Sequence, residues 1–223
     1  LKLGKRLQTL HDVVTENYQH IWDCCCDHGQ LGAQFLHSSQ AHIHFVDVVP
    51  ALIAKVKLDL TRFFPETETR YSLYTLDVAK LPLAQHSGRQ LVIIAGVGGD
   101  LTAELMTSLC CNLRGDVDFL LCPVHHHYTL RQTLQSLPLK VIHESLVEEN
   151  RRIYEVLYLT SGKTGATITP LGEAIWQHGT LSKRYLEKTL DHYARVPKAN
   201  PKHKPFYRLT NTLHYKTQRT QPD

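Results

Sequence analysis

Long apolar runs are missing from this 223-residue chain. The longest, Leu91 to Val97, is far too short to cross a bilayer, so no membrane partner is expected. No charged-then-apolar secretory segment opens the sequence. Spaced cysteines are missing as well: of six, Cys24 to Cys26 are consecutive and Cys110 and Cys111 adjacent. Neighbouring cysteines rarely pair with each other, which argues against a disulfide framework and for reduced thiols in a cytoplasmic protein. There is no Cys-x-x-Cys. Cys24-x-Cys26-x-His28 comes nearest to a metal pattern, but no second ligand pair completes a tetrahedron, and no metal is expected. The dinucleotide fingerprint G-x-G-x-x-G is absent after the first strand, which counts against a nicotinamide enzyme. Internal repeats and low-complexity tracts are absent too.

Excess positive charge is missing from most of the chain. Of 25 basic and 21 acidic residues, six and one respectively fall within 196–223, leaving 19 basic against 20 acidic before them. The net charge of +4 therefore belongs to the last segment, where Lys198, Lys202, Lys204 and Arg208 alternate with Phe206, Tyr207 and Tyr215. Cations interleaved with aromatics suit a polyanion such as RNA.

What is present reads as a soluble α/β domain with a small appendage, at 42% hydrophobic and 21% charged residues. Leu3, Leu7, Leu10 and Val14 recur at helical spacing, with Lys5 and Arg6 off the stripe and available to an anionic partner. Strands are predicted near Ile21–Asp23, His42–Asp47, Arg70–Leu76, Gln90–Ala95 and Val117–Leu121. Helices are predicted over 31–38, from Pro50 to Phe63, from Leu101 to about 112, and from Tyr128 to Leu137. Val141–Val147 and Ile153–Leu159 alternate on either side of a polar turn, the pattern of a hairpin. The expected fold is a doubly wound, mostly parallel seven-stranded sheet with an antiparallel end, followed by a short helical and basic extension. Residues 1–163 form the main domain and 164–223 the extension, with 171–196 mostly helical.

The stretch Asp23-Cys24-Cys25-Cys26-Asp27-His28-Gly29 follows the first strand and leads into a helix. In such sheets ligands bind outside the carboxyl ends of the strands, where the next helix's amino terminus points at them. Asp23, Asp47 and Asp77 each fall at or just past a strand end, and an acid after the second strand is placed to accept two ribose hydroxyls. Gly96-Val97-Gly98-Gly99 removes side chains where a ligand or another backbone comes close. His125, His126 and His127 sit at the mouth of the fifth strand, where one of the three imidazoles can stack on a base or move a proton.

Four motifs in this order resemble the bacterial tRNA (adenine-22-N1)-methyltransferase family. They are Leu3-x-Lys5-Arg6-Leu7-Gln8-Thr9, Asp23-x-x-x-Asp27-His28, Ile94-Ala95-Gly96-Val97-Gly98-Gly99 and Tyr154-Glu155-Val156-Leu157, spread over about residues 1–195. The resemblance implies a class I S-adenosylmethionine-dependent methyltransferase fold, Rossmann-like, with a helical extension that grips tRNA. It implies that Asp23 and the loop through Cys25, Asp27, His28 and Gly29 line the methionine end of S-adenosylmethionine. Asp47 with Val48 would take the ribose, and Asp77 with Val78 the adenine edge. Ala95, Gly96, Gly98 and Gly99 would border the sulfonium and the entering base. Asp23 and His125 are the catalytic candidates, and Lys5, Arg6, Lys198, Lys202, Lys204 and Arg208 the RNA contacts. The family carries glycine where this chain has Cys25, and a Gln-Pro-Asn-like triplet where it has Cys122-Pro123-Val124.

The first expectation is methyl transfer to N1 of a tRNA adenine. A non-catalytic RNA- or nucleotide-binding protein of the same fold is the alternative, favoured by Cys25 and Val124. A small-molecule methyltransferase is disfavoured by the basic arm.

Overall fold

The computed structural model describes residues 2–111, 113–177 and 179–195. Lys198, Lys202, Lys204, Arg208 and the rest of the basic arm lie outside the described residues. Helix α1 (Lys5–Asp12) precedes β1 (His20–Cys24), α2 (Gln30–Ser38), β2 (His42–Asp47), α3 (Pro50–Phe63) and β3 (Tyr71–Thr75). Two 3-10 turns, Val78–Lys80 and Leu83–Gln85, carry the chain to β4 (Gln90–Ala95). Then come α4 (Gly99–Cys111), β5 (Val117–Cys122), α5 (His127–Leu134), the hairpin β6 (Lys140–Glu149) and β7 (Arg152–Thr160), and α6 (Thr180–Arg195).

The strands lie in the order β3-β2-β1-β4-β5-β7-β6, parallel except at β7 and β6. This is the doubly wound seven-stranded sheet expected. Alternate strand residues serve opposite faces. Ile21, Ile43, Phe45, Leu91 and Ile93 pack with α1, α2 and α3, while Trp22, Val46, Val92, Ile94 and Phe119 pack with α4 and α5. Central strands buried on both faces explain their near-continuous apolar runs. All six cysteines are free, and no helix among the described residues is long and apolar enough to cross a membrane.

The expected helix over 171–196 forms only in part. A short 3-10 turn (Ala174–Gln177) precedes α6, because Gly172 and Gly179 adopt φ of 77° and 58° and interrupt the helical path. Helix α4 starts two residues earlier than expected, at Gly99.

Residues beyond 163 are tied back to the sheet. Ala166 bridges Val141, and a buried charged cluster joins α5, β6, β7 and α6. Arg131, 1% exposed, donates from Nε to Glu155 (2.7 Å) and from Nη2 to Glu144 (2.8 Å). The other Glu144 oxygen accepts from the Glu173 and Ala174 amides, and Glu155 accepts from the Tyr185 hydroxyl at 2.5 Å. Burial alone would raise Glu155. The charges of Arg131 and His127 and the hydrogen bonds from Tyr185 and Arg131 hold it below the ordinary glutamate value instead.

Candidate active site

The strand order reverses between β1 and β4, and the crevice outside their carboxyl ends is where an open α/β sheet binds its ligand. Register fixes what meets there. Cys24, the last residue of β1, is level with Val46 on one side and Ile94 on the other, and Ala95 is level with Cys122. The loops after β1, β2, β4 and β5 therefore open on one edge.

Asp23 lies one residue inside that edge and is buried. Its Oδ2 accepts the Gly32 amide at 2.8 Å, anchoring the first turn of α2 to the strand that precedes it. Burial pushes its carboxyl up to about 7; the Gly32 amide pulls the other way, and the nearby charge of Asp47 adds to the rise. Gly32 has no room for a side chain, since a Cβ there would collide with Phe45 and stand 2.8 Å from Asp23 Oδ2. Sequence reasoning missed Gly32; its signal was a small residue spaced for the first turn of a helix opposite an acid.

Asp47 is also buried, with Oδ2 accepting from the Asp27 amide (3.2 Å) and Oδ1 from the Val49 amide (3.0 Å). It fastens the β1 loop to the β2 loop. Val48 beside it is 63% exposed, an apolar side chain standing at the rim of a polar crevice. Asp77 is exposed and accepts from the Ala79 amide at 2.9 Å, whereas Val78 is buried in the core with β4 and α4. Asp27 and His28 are exposed, with carboxylate and imidazole 3.8 Å apart, and Gly29 is buried at φ 64° against Val56 and Phe45.

Cys25 holds the centre of this loop. It is half-buried, at φ 55°, and burial together with the charges of Asp47, Asp23 and Asp77 pushes its thiol up to about 11. The three carboxylates identified from separate strand ends thus converge around one residue. A side chain at that φ costs about 1–2 kcal/mol, partly offset because glycine loses about 0.5–1 kcal/mol more entropy on folding. Cys25→Gly is accordingly expected to raise stability by up to about 1 kcal/mol, read from urea unfolding; a lower midpoint would mean that thiol packing outweighs the strain.

The glycines after β4 divide. Gly96, at φ 87°, faces Arg6, whose Nη1 would stand 3.7 Å from a side chain's Cβ there. Gly98 and Gly99 instead make room for the β5 loop: a side chain at Gly98 would strike the His125 ring, and one at Gly99 the His126 carbonyl. The Gly99 amide donates to the His125 carbonyl (2.9 Å) and the Val124 amide to Val97 (2.9 Å), locking the two loops together.

The three histidines also separate. His126 contacts Asp100 (2.5 Å), and His127 contacts the Pro123 carbonyl (3.1 Å) and the Tyr185 hydroxyl (3.2 Å). His125 is exposed over Gly98. It also lines a cavity of about 380 Å³ with Arg152, Trp176, Tyr185, Lys188 and His192, between the β5 loop and α6. His125 thereby stands between the crevice and that cavity.

Lys5 and Arg6, adjacent in sequence, point apart, since successive helical residues diverge by about 100°. Lys5 is exposed, while Arg6 turns inward over the Tyr154 ring (5.2 Å) and toward Glu149 (3.9 Å).

Comparison with curated protein sequences gives no match. The solved B. subtilis m1A22 tRNA methyltransferase TrmK superposes with a TM-score of 0.74 at 19% identity, over 95% of each chain. M. capricolum TrmK, in complex with S-adenosyl-homocysteine, gives 0.73 at 13% identity, over 97% of this chain and 96% of that one. Synechocystis magnesium protoporphyrin IX methyltransferase with bound SAM gives 0.55 at 11% identity, over 70% of this chain and 79% of that one. These likenesses establish a shared fold. Residues 3–157 match a family profile described as a methyltransferase domain, and the chain belongs to that family.

Proposed function

We propose that this protein transfers the methyl group of S-adenosylmethionine to a base of tRNA, at N1 of an adenine, in the cytoplasm. The observation that carries the reading is that Asp47 fastens the β1 loop and Asp23 the first turn of α2 at the sheet's switch point. The likeness to m1A22 tRNA methyltransferases over nearly the full length supports the substrate.

The residues suit the cofactor. Asp47 is fixed by two loop amides at the end of β2, the place of a ribose-binding acid, and the exposed Val48 offers an apolar surface for an adenine ring. Asp27 brings an exposed carboxylate, and Asp23 a buried one, to the loop that the ammonium of the cofactor's amino-acid end would face. When bound, the cofactor supplies an already activated sulfonium methyl. What the chain must add is alignment of a ring nitrogen with it, since well-oriented groups gain about 7–11 kcal/mol over free encounter. The adenine N1 lone pair needs no base to deprotonate it, but the methylated ring becomes cationic, and loop carbonyls and carboxylates can stabilise that charge.

Because N1 lies on the pairing edge, the base must be unpaired or flipped out. The cavity behind His125, lined by Trp176 and Tyr185 with Arg152 and Lys188 at hand, offers stacking surface and phosphate partners. In this reading His125 orients the base.

Incubation with labelled cofactor and total tRNA, followed by mapping of the modified nucleoside, tests this directly. Transfer to adenine N1 is the expected result; label on a small molecule or on no tRNA would sink it. The strained side chain of Cys25 favours a second reading, a non-catalytic RNA-binding relative. Calorimetry with S-adenosyl-homocysteine separates the two, because that relative would bind tRNA and not the cofactor product. Binding of tRNA is also expected to weaken steeply with salt. Deleting residues 197–223 should flatten that dependence by about 0.9 in log–log slope for each phosphate that the arm neutralises; equal slopes would exclude the basic arm.

A further inference from the structure

At the opposite, amino-terminal edge of the sheet lies a cluster that methyl transfer does not use. His20 opens β1, His44 is the third residue of β2, and His86 follows the second 3-10 turn on the way into β4. His20 is four residues from the carboxyl end of β1, about 13 Å away at the strand's rise per residue. The ligand-capable atoms of the three imidazoles all lie within 4.8 Å of one another, and no other His, Cys, Asp or Glu group of that kind exists among the described residues.

The surroundings have the features of a built site. His20 Nδ1 and His44 Nε2 are 3.0 Å apart. Bound to zinc at about 2.0–2.1 Å in tetrahedral geometry, two nitrogens sit about 3.3 Å apart, so this pair needs a slight opening, while separations of up to 4.8 Å within the cluster must close around the ion. His44 is 1% exposed and presents its Nε2 to His20.

The rings are also held in place. Trp22 stacks on His44 at 3.8 Å and 10°. Gln90 accepts from Trp22 Nε1 (3.0 Å) and donates to the carbonyls of Leu83 (2.9 Å) and His86 (3.1 Å), fixing the segment that carries the third imidazole. Outer partners of this kind set ligand orientation in metal sites.

We propose that His20, His44 and His86 bind a single divalent transition-metal ion, zinc foremost, which clips β1, β2 and the approach to β4 together. Three imidazoles suit zinc, copper or nickel rather than magnesium or calcium, and leave the remaining position to water. Spacing along the chain does not suggest this, since the nearest approach to a metal pattern, Cys24-x-Cys26-x-His28, lies at the other end of β1.

The test is titration of the full chain with Zn2+ against a chromophoric chelator, beside His86→Ala and His20→Ala. His86 is on a loop, so its variant should fold, and circular dichroism checks this. One equivalent is expected to bind, with affinity falling at least about 100-fold in either variant, beyond the usual loss from an outer-partner change. Zn2+ should raise the melting temperature of the wild type alone. Co2+ substituted at this site should show ligand-field bands without sulfur-to-cobalt charge transfer. Equal affinity in His86→Ala, no stoichiometric binding, or a thiolate band would overturn the assignment.

Discussion

Asp23→Ala is expected to lower methyl transfer at least about 100-fold, the loss that a displacement of roughly 1 Å can cause in an aligned site. The carboxylate holds the Gly32 amide at 2.8 Å, so its removal frees the first turn of α2 from the end of β1 and loosens the loop around Cys25. The fold should survive, because one lost hydrogen bond costs about 1 kcal/mol. Asp23→Asn keeps an acceptor for Gly32 and removes the charge, which separates anchoring from electrostatics. With the carboxyl pushed up to about 7, turnover in the wild type should rise with pH through that region, and the Asn variant should lose this limb. Stability has the opposite trend. A carboxyl with a raised folded pKa stays protonated in the fold while the unfolded chain ionises, so its contribution declines from about pH 4 to pH 7 and is then flat. Single-turnover rates and urea unfolding at several pH values read both effects. Unchanged turnover in the Ala variant would remove this residue from the mechanism.

Arg131→Met is expected to be strongly destabilising, by about 3–5 kcal/mol. It would leave Glu144 and Glu155, 5% and 3% exposed, without their cation. At roughly 2–4 °C per kcal/mol for a chain of this size, the melting temperature should fall by about 10 °C. The pH dependence should change sign. In the wild type Glu155 titrates below its ordinary value, so its contribution is present above the unfolded pKa and is lost as pH falls through the folded one. Without Arg131, burial dominates and raises it, so the variant loses stability as pH climbs above about 4.5. Adding Glu144→Gln and Glu155→Gln should recover much of the loss, since a neutral buried cluster carries no unpaired charge. A loss below about 1 kcal/mol would show that the cluster is solvated.

Several features were legible in the residues because they depend on near neighbours. Asp47 was readable at the end of a strand-like run, and Pro50 marked the start of α3. Cys25 stood out only against the glycine that the resembling family carries there, and the structure puts it at positive φ. The helix expected over 171–196 failed because nothing local shows that Gly172 and Gly179 both take positive φ. Among the three adjacent histidines, their neighbours on α4 and α6 separate His126 and His127 from His125, and those neighbours lie 26 and 58 residues away.

The sequence by itself determined the alternation of strands and helices and the acids at the strand ends. Periodicity, turn chemistry and helix starts act over a few residues and survive in any linear reading. Only the tertiary structure decided that β1 lies between β2 and β4. That order gathers Asp23, Asp47 and Asp77 around Cys25 at one edge and His20, His44 and His86 at the other. It likewise brought Arg131 of α5 to Glu144 and Glu155 of the hairpin, whose opposite charges meet across 13 and 24 residues of chain. Such meetings depend on crossover topology and on which face each strand residue serves, which no stretch of chain encodes alone.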